Sequence, residues 1–308
     1  MQKQRYQQSM INSFINKNKL PTDFSVIAEG YFIPLAEEIK MHQSSAKTTY
    51  FVGINGSQGS GKSTLSAFIK DYLTENYDMK VVVMSLDDFY LSRIERQIIA
   101  TDVHPLFTTR GVPGTHNMHQ AKSVMHNLKH QQPTTIPRFN KATDNPHPIS
   151  SWSKVSCAVD IVIFEGWCWG VEPQTSKQLK QPVNGLEAIE DDNAAWRNHV
   201  NLQLSLHYKP LYSLMNKWVM LKAPCFEDIY AWRLEQEQKL IAATTFNDKN
   251  DKNNTQGIMN EQQIQHFIEH YQRLTEHSLD TLPNTCDHVF ELNHERSISA
   301  HKLKEDHA

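Results

Sequence analysis

The chain has 308 residues, 39% hydrophobic and 21% charged, with a net charge of −3 and a pI near 6.6. That balance offers no basic face for nucleic acid, and no run of about 18 apolar residues exists to span a bilayer. Its four cysteines (Cys157, Cys168, Cys225 and Cys286) form no CxxC pair, which argues against a disulfide framework or structural zinc and fits a reducing cytoplasm.

In chain order, the first stretch, MQKQRYQQSMINSF, lacks the apolar centre of a signal peptide. Residues 1–20 read as a weakly amphipathic helix through Met10, Ile11, Phe14 and Ile15. Pro21-Thr22-Asp23 then starts a second helix with Ile27, Tyr31, Leu35 and Ile39 at i+4 spacing. Residues 1–48 are thus a helical extension expected to pack on the main domain. From residue 49 the pattern becomes β/α, with apolar strand candidates at 50–54, 81–86, 161–164, 218–221 and 288–292. Such continuous apolar runs suit strands buried on both faces of a parallel sheet. Helices are expected at 62–77, 117–131, 187–208, 226–245 and 260–280. The alternation predicts a doubly wound, mainly parallel α/β domain over 49–295, followed by a polar tail at 296–308. Residues 139–155 read as a loop over the sheet's working edge, and 247–256 as a polar surface loop.

Between the first strand and its helix lies Gly56-Ser57-Gln58-Gly59-Ser60-Gly61-Lys62-Ser63, a complete GxxxxGK[ST] phosphate-binding loop. Small residues are needed because backbone N–H groups must wrap phosphate oxygens without interference from side chains. The helix that follows adds its positive N-terminal end. Lys62 is placed to reach the β- and γ-phosphates and the Ser63 hydroxyl to hold Mg²⁺, with Thr64 completing the nucleotide contacts. A guanine-reading Asn-Lys-x-Asp element is absent, so ATP is the expected nucleotide.

Acidic residues close two other strands, in Ser85-Leu86-Asp87-Asp88-Phe89-Tyr90 and in Ile163-Phe164-Glu165-Gly166-Trp167. Ligands of open parallel sheets lie beyond the carboxyl ends of the strands, so Asp87, Asp88 and Glu165 should converge on Lys62 and Ser63. One carboxylate can accept a substrate hydroxyl proton while another anchors Mg²⁺. His266 and His270 lie four apart on a helix; lacking a third ligand, they are expected to face solvent. The six tryptophans, with no basic patch beside them, are expected to be packing residues.

SLDDFYL, RGVPGTHN (Arg110 to Asn117) and FEGWCWG (Phe164 to Gly170) resemble the D-glycerate 3-kinase family of P-loop kinases, especially its bacterial branch. That family is related to phosphoribulokinase, uridine kinase and pantothenate kinase. The likeness continues through PVNGLEAIEDDNAAWRNHVN, YAWRLEQEQKL and FIEHYQRLTEHSL, covering about residues 25–295. It implies ATP, Mg²⁺ and a sheet in which the Glu165 strand neighbours the loop strand. It also implies Asp87 as base on the acceptor hydroxyl, with metal held by Ser63, Asp87 and Glu165. Arg110 and His116 fall where the family binds the acceptor, and Arg233 lies at a lid position from which it could reach the transferring phosphate. For a carboxylate acceptor such as glycerate, Arg110 beside flexible Gly111 and Gly114 could supply a bidentate cation; Asp88, Arg138 and Lys141 could line the same pocket. The family usually shows Phe-Asp-Lys where this chain has Phe139-Asn140-Lys141, and an arginine after the next aspartate where it has Asn145-Pro146. Those departures bear on the acceptor and not on phosphoryl transfer, and the likeness makes transfer to glycerate the first reading. Transfer to a nucleoside, sugar phosphate or pantothenate-like alcohol is the second, and a non-catalytic ATP-binding regulator the third.

Overall fold

The strand that leads into the glycine loop occupies the middle of the sheet. A computed structural model describes residues 2–235 and 261–304 of the protein. Its main sheet has six strands in the order β10-β9-β8-β1-β7-β2. These are β1 (Tyr50–Gly56), β2 (Val81–Ser85), β7 (Ile161–Gly166), β8 (Lys217–Lys222), β9 (His288–Leu292) and β10 (Ile298–Leu303). β1 pairs in parallel with β7 on one side and β8 on the other, and only β10 runs antiparallel. All seven residues of β1 and all six of β7 are buried, as their apolar composition requires.

Helices cover both faces. One face carries the helix after the loop (Lys62–Tyr77) and the N-terminal helices (Gln2–Asn18, then Phe24–Ile27 and Ile33–Ala46, joined by a π turn at Ala28–Phe32). Met10, Ile11, Phe14 and Ile15 share a core with Leu65, Phe68 and Ile69, and the Phe14 and Phe68 rings meet edge-on at 5.2 Å. The other face holds Met118–Lys129, Ala195–Gln203 and Glu261–Thr281 over a core rich in aromatic residues, including Trp167, Trp169 and Trp196. No helix among the described residues is long and apolar enough to cross a membrane.

Three sequence expectations differ from the structure. The single helix expected at 187–208 is two, Gly185–Ile189 and Ala195–Gln203, the second running through a π turn into Lys209–Tyr212. Buried Asp191 interrupts it, because its carboxylate accepts the backbone N–H groups of Trp196 (2.7 Å) and Arg197 (3.1 Å) and so starts a new helix. The irregular stretch 139–155 contains the short hairpin β4 (Phe139–Asn140) with β5 (Asn145–Pro146). It also contains β6 (Ser153–Val155), which pairs with β3 (Thr134–Ile136). The polar segment from 296 includes β10, whose exposed side chains hid a strand held by backbone pairing to β9. Residues 226–235 are helical; the remainder of that expected helix and the loop expected at 247–256 lie outside the described residues.

Candidate active site

Gly56 through Ser63 form the floor of the site. Gly59 and Gly61 have φ of 79° and 94°, left-handed values that let the chain fold its amides inward. A Cβ on Gly56 would lie 2.6 Å from Ser60 Oγ and 3.0 Å from the Leu221 carbonyl, so that turn admits no side chain. The hydroxyls of Ser57 and Ser60 are buried without a hydrogen-bond partner, as expected of a cradle whose polar groups are meant for a ligand. Lys62 Nζ donates to the Ser57 carbonyl at 3.0 Å, folded back over the loop. Burial pulls the Lys62 ammonium below its ordinary pKa, and the charges of Glu165 and Asp87 oppose that shift. Pairing of β1 with β7 sets Glu165 opposite Ile54, and its carboxylate accepts the Ser63 hydroxyl at 3.1 Å.

The two aspartates after β2 have different jobs. Asp88 closes a capping box, accepting the Ser85 amide at 3.0 Å, and takes Arg138 Nη1 at 2.6 Å. Burial raises its pKa, with the Ser85 amide and Arg138 opposing. Asp87 takes no such capping role, and its carboxylate accepts from the Lys141 ammonium at 2.5 Å. Burial would raise the Asp87 pKa, but Lys141, then His116 and Lys62, overcome that and hold it low. Of the two acids, Asp87 is the one whose ionised form its surroundings favour.

Arg110 and Arg96 grip opposite oxygens of Asp144 on the β4–β5 hairpin. Asn140, where the resembled family carries an acid, turns its side-chain oxygen onto the amides of Ala142 and Thr143 and shapes that hairpin. His116 is buried. Its ring stacks on Tyr90 at 4.4 Å and its Nδ1 meets the Tyr208 hydroxyl at 2.7 Å, while Nε2 is buried without a hydrogen-bond partner. Burial pushes its pKa down to about 3 against the pull of Asp87, so the ring is neutral at physiological pH. The Arg233 guanidinium lies over the Phe267 ring at 5.5 Å.

Several supporting residues carry no local sequence signal. Tyr271 donates to the Arg110 carbonyl at 2.9 Å, and a Cβ on Gly111 (φ 146°) would fall 2.2 Å from its hydroxyl oxygen. Trp167 Nε1 donates to the Gly111 carbonyl at 3.0 Å, tying the Arg110 loop to the end of β7. The buried Asn55 amide holds the carbonyls of Trp167 (3.2 Å) and Trp169 (2.8 Å). His270 corrects the expectation of two solvent-facing histidines. It is buried beside Trp196, with a pKa lowered by burial to about 4, and only His266, bonded to Glu190, faces outward.

The model of the phosphoribulokinase / uridine kinase family matches residues 51–197. The Schizosaccharomyces pombe protein described as uncharacterized kinase mug58 is 31% identical over 250 residues, 76% of this chain and 83% of that one. The chain belongs to the phosphoribulokinase/uridine kinase family. This P-loop kinase also resembles the chloroplastic D-glycerate 3-kinase of Arabidopsis thaliana, at 25% identity over 83% of the chain and 56% of that protein. The D-glycerate 3-kinase of Cryptococcus neoformans superposes with a TM-score of 0.71 at 22% identity, covering 88% of this chain and 98% of that one, and so shares the fold. The family uses ATP, and the loop just described is where the kinase would hold it. Among the described residues, no group of three or more His, Cys, Asp and Glu side chains forms a metal cage. The Ser63 hydroxyl beside the Glu165 carboxylate is instead a sparse oxygen set, which suits Mg²⁺ because that ion keeps waters and phosphate oxygens as its other ligands.

Proposed function

We propose that this kinase transfers the γ-phosphoryl group of ATP to a hydroxyl of a small carboxylate, with D-glycerate as the first candidate. The observation that carries the proposal is the division of labour at the end of β2. Asp88 is fixed by the Ser85 amide and Arg138, while Asp87 is kept ionised and reachable, in the electrostatic field of Lys62. A base in that state can accept the proton of the acceptor hydroxyl as its oxygen bonds to the γ-phosphorus and the bond to ADP breaks. Lys62 and the loop amides would offset charge on the phosphates, and Ser63 and Glu165 would hold Mg²⁺, which would supply further positive charge there. Arg233 would reach the transferring group from the lid.

Arg110, Arg138 and Lys141 put three cations around the two aspartates, each paired with an internal acid. An acceptor carboxylate could take over the Arg110 guanidinium from Asp144 and engage its paired N–H groups. The two relatives named D-glycerate 3-kinases support this choice of acceptor. ADP release measured across hydroxy acids, polyols, nucleosides and pantothenate tests it. Glycerate should give the highest kcat/KM, and a neutral alcohol in that place would remove the glycerate assignment while leaving phosphoryl transfer standing.

A further inference from the structure

A cavity of 410 Å³ lies away from the phosphate loop, between the helix Met118–Lys129 and the segment Pro210–Leu214. Its floor is apolar, made by Pro210, Leu211 and Leu214. Beside these it is lined by Lys122 and Lys129, with His119, His126 and His130 and Ser123 among them. The His126 and His130 rings lie 4.4 Å apart, and the His119 ring lies 5.2 Å from that of His207, outside the cavity lining. Neither lysine has an ion-pair partner among the described residues.

Two features make this more than a solvated basic surface. The chain has 34 acidic residues against 31 lysines and arginines, yet no Asp or Glu occurs from Gly111 to Thr143 or from Asn193 to Phe226, the two stretches that supply the walls. Lys141 and Lys209 of these same stretches nevertheless reach Asp87 and Glu172, whereas Lys122 and Lys129 have no such partner among the described residues. The second feature is shape, since a volume above about 300 Å³ with an apolar base is that of a small-molecule site. We infer that this cavity binds a small organic anion, a phosphate or carboxylate on an apolar body, the charge held by Lys122, Lys129 and the histidine rim and the body seated on Pro210 and Leu211.

Phenyl phosphate is the probe, followed by the side-chain NMR signals of His119, His126 and His130. These signals report this cavity and not the phosphate loop, so the outcome is independent of which acceptor the kinase uses. The three resonances should shift together and saturate. Lys122→Glu with Lys129→Glu should weaken the binding roughly tenfold or more, while Lys70→Glu with Lys177→Glu, an equal change of net charge elsewhere, should leave it unaltered. No shift up to about 10 mM probe, near the weak limit of specific binding, overturns the inference. Equal weakening by the control pair overturns it too, since only net charge would then matter. Equal binding of inorganic phosphate would show that the apolar floor takes no part and would likewise overturn it.

Discussion

Replacing Asp87 and Asp88 separately by asparagine should produce opposite defects. Asp87→Asn removes proton acceptance and leaves the phosphate cradle intact. Loss of a general base lowers kcat by about 10²–10⁴-fold, or roughly 3–5 kcal/mol in the barrier. Its stability should barely change, because the partner Lys141 is 62% exposed and an ion pair in that setting contributes about 0–1 kcal/mol. Asp88→Asn weakens a cap and a charge-assisted bond to Arg138 on a side chain only 16% exposed. Hydrogen bonds to charged groups are worth about 1.5–3 kcal/mol, so its loss should appear mainly in thermal denaturation. Single-turnover rates with ATP in excess, nucleotide titrations and melting curves on both variants separate these effects. If Asp88→Asn slows the chemical step more than Asp87→Asn while both remain folded, the assignment of the base within the pair is wrong.

Other perturbations follow from the same geometry. Lys62→Ala should nearly abolish turnover with an unchanged circular dichroism spectrum, because its ammonium rests on a loop carbonyl and not in a core. Lys141→Ala removes the chief group lowering the Asp87 pKa, so the acid limb of kcat should move to higher pH; an unmoved limb would exclude Asp87 as its source. Arg110→Lys should raise KM for glycerate with little change in ATP affinity, since an ammonium cannot reproduce the paired N–H geometry; lost stability at constant KM would assign Arg110 to the Asp144 bridge alone. Neutral His116 and His270, with pKa values held at about 3 and about 4, take up protons on unfolding below pH about 6.5. Their contribution is fully present above that pH and is lost as pH falls towards the folded values, by at most about 1.4 kcal/mol per pH unit for each. Urea denaturation between pH 7 and 4.5 should show that slope, and His116→Gln should flatten it.

The parts legible in sequence are those in which a local pattern and its physical cause coincide. The apolar run of β1 had to be central, and the glycines that follow could serve only a tight, amide-lined turn. Asp87 and Glu165 were legible by position, because strand-end acids of a parallel sheet share one edge. The bridge through Asp144 was not, since its two arginines lie 34 and 48 positions away and nothing local announces them. His270 shows the same limit from the other side. Its spacing from His266 says which helix face it shares, but only the packing of that face against Trp196 decides that it is buried. The break at Asp191 escaped periodicity because the apolar pattern continues on both sides of a cap that a buried carboxylate provides.

The reversed direction of β10 has a practical consequence for handling the molecule. Strands β1, β2, β7, β8 and β9 all run towards the edge that carries the glycine loop, whereas β10 runs back, and Leu303 pairs with His288 at the start of β9. The Lys304 amide then fastens to the Asp287 carbonyl at 3.0 Å. The backbone thus leaves the sheet on the side remote from Lys62 and Asp87. An affinity handle, fluorophore or surface linker attached beyond this point starts at the rear of the sheet, and the cleft remains open to solvent for immobilised assays. The register shift between Ile298 and Ala300 and the outward ammonium of Lys302 also blunt this border against pairing with another copy, so such attachment should not seed strand-to-strand association.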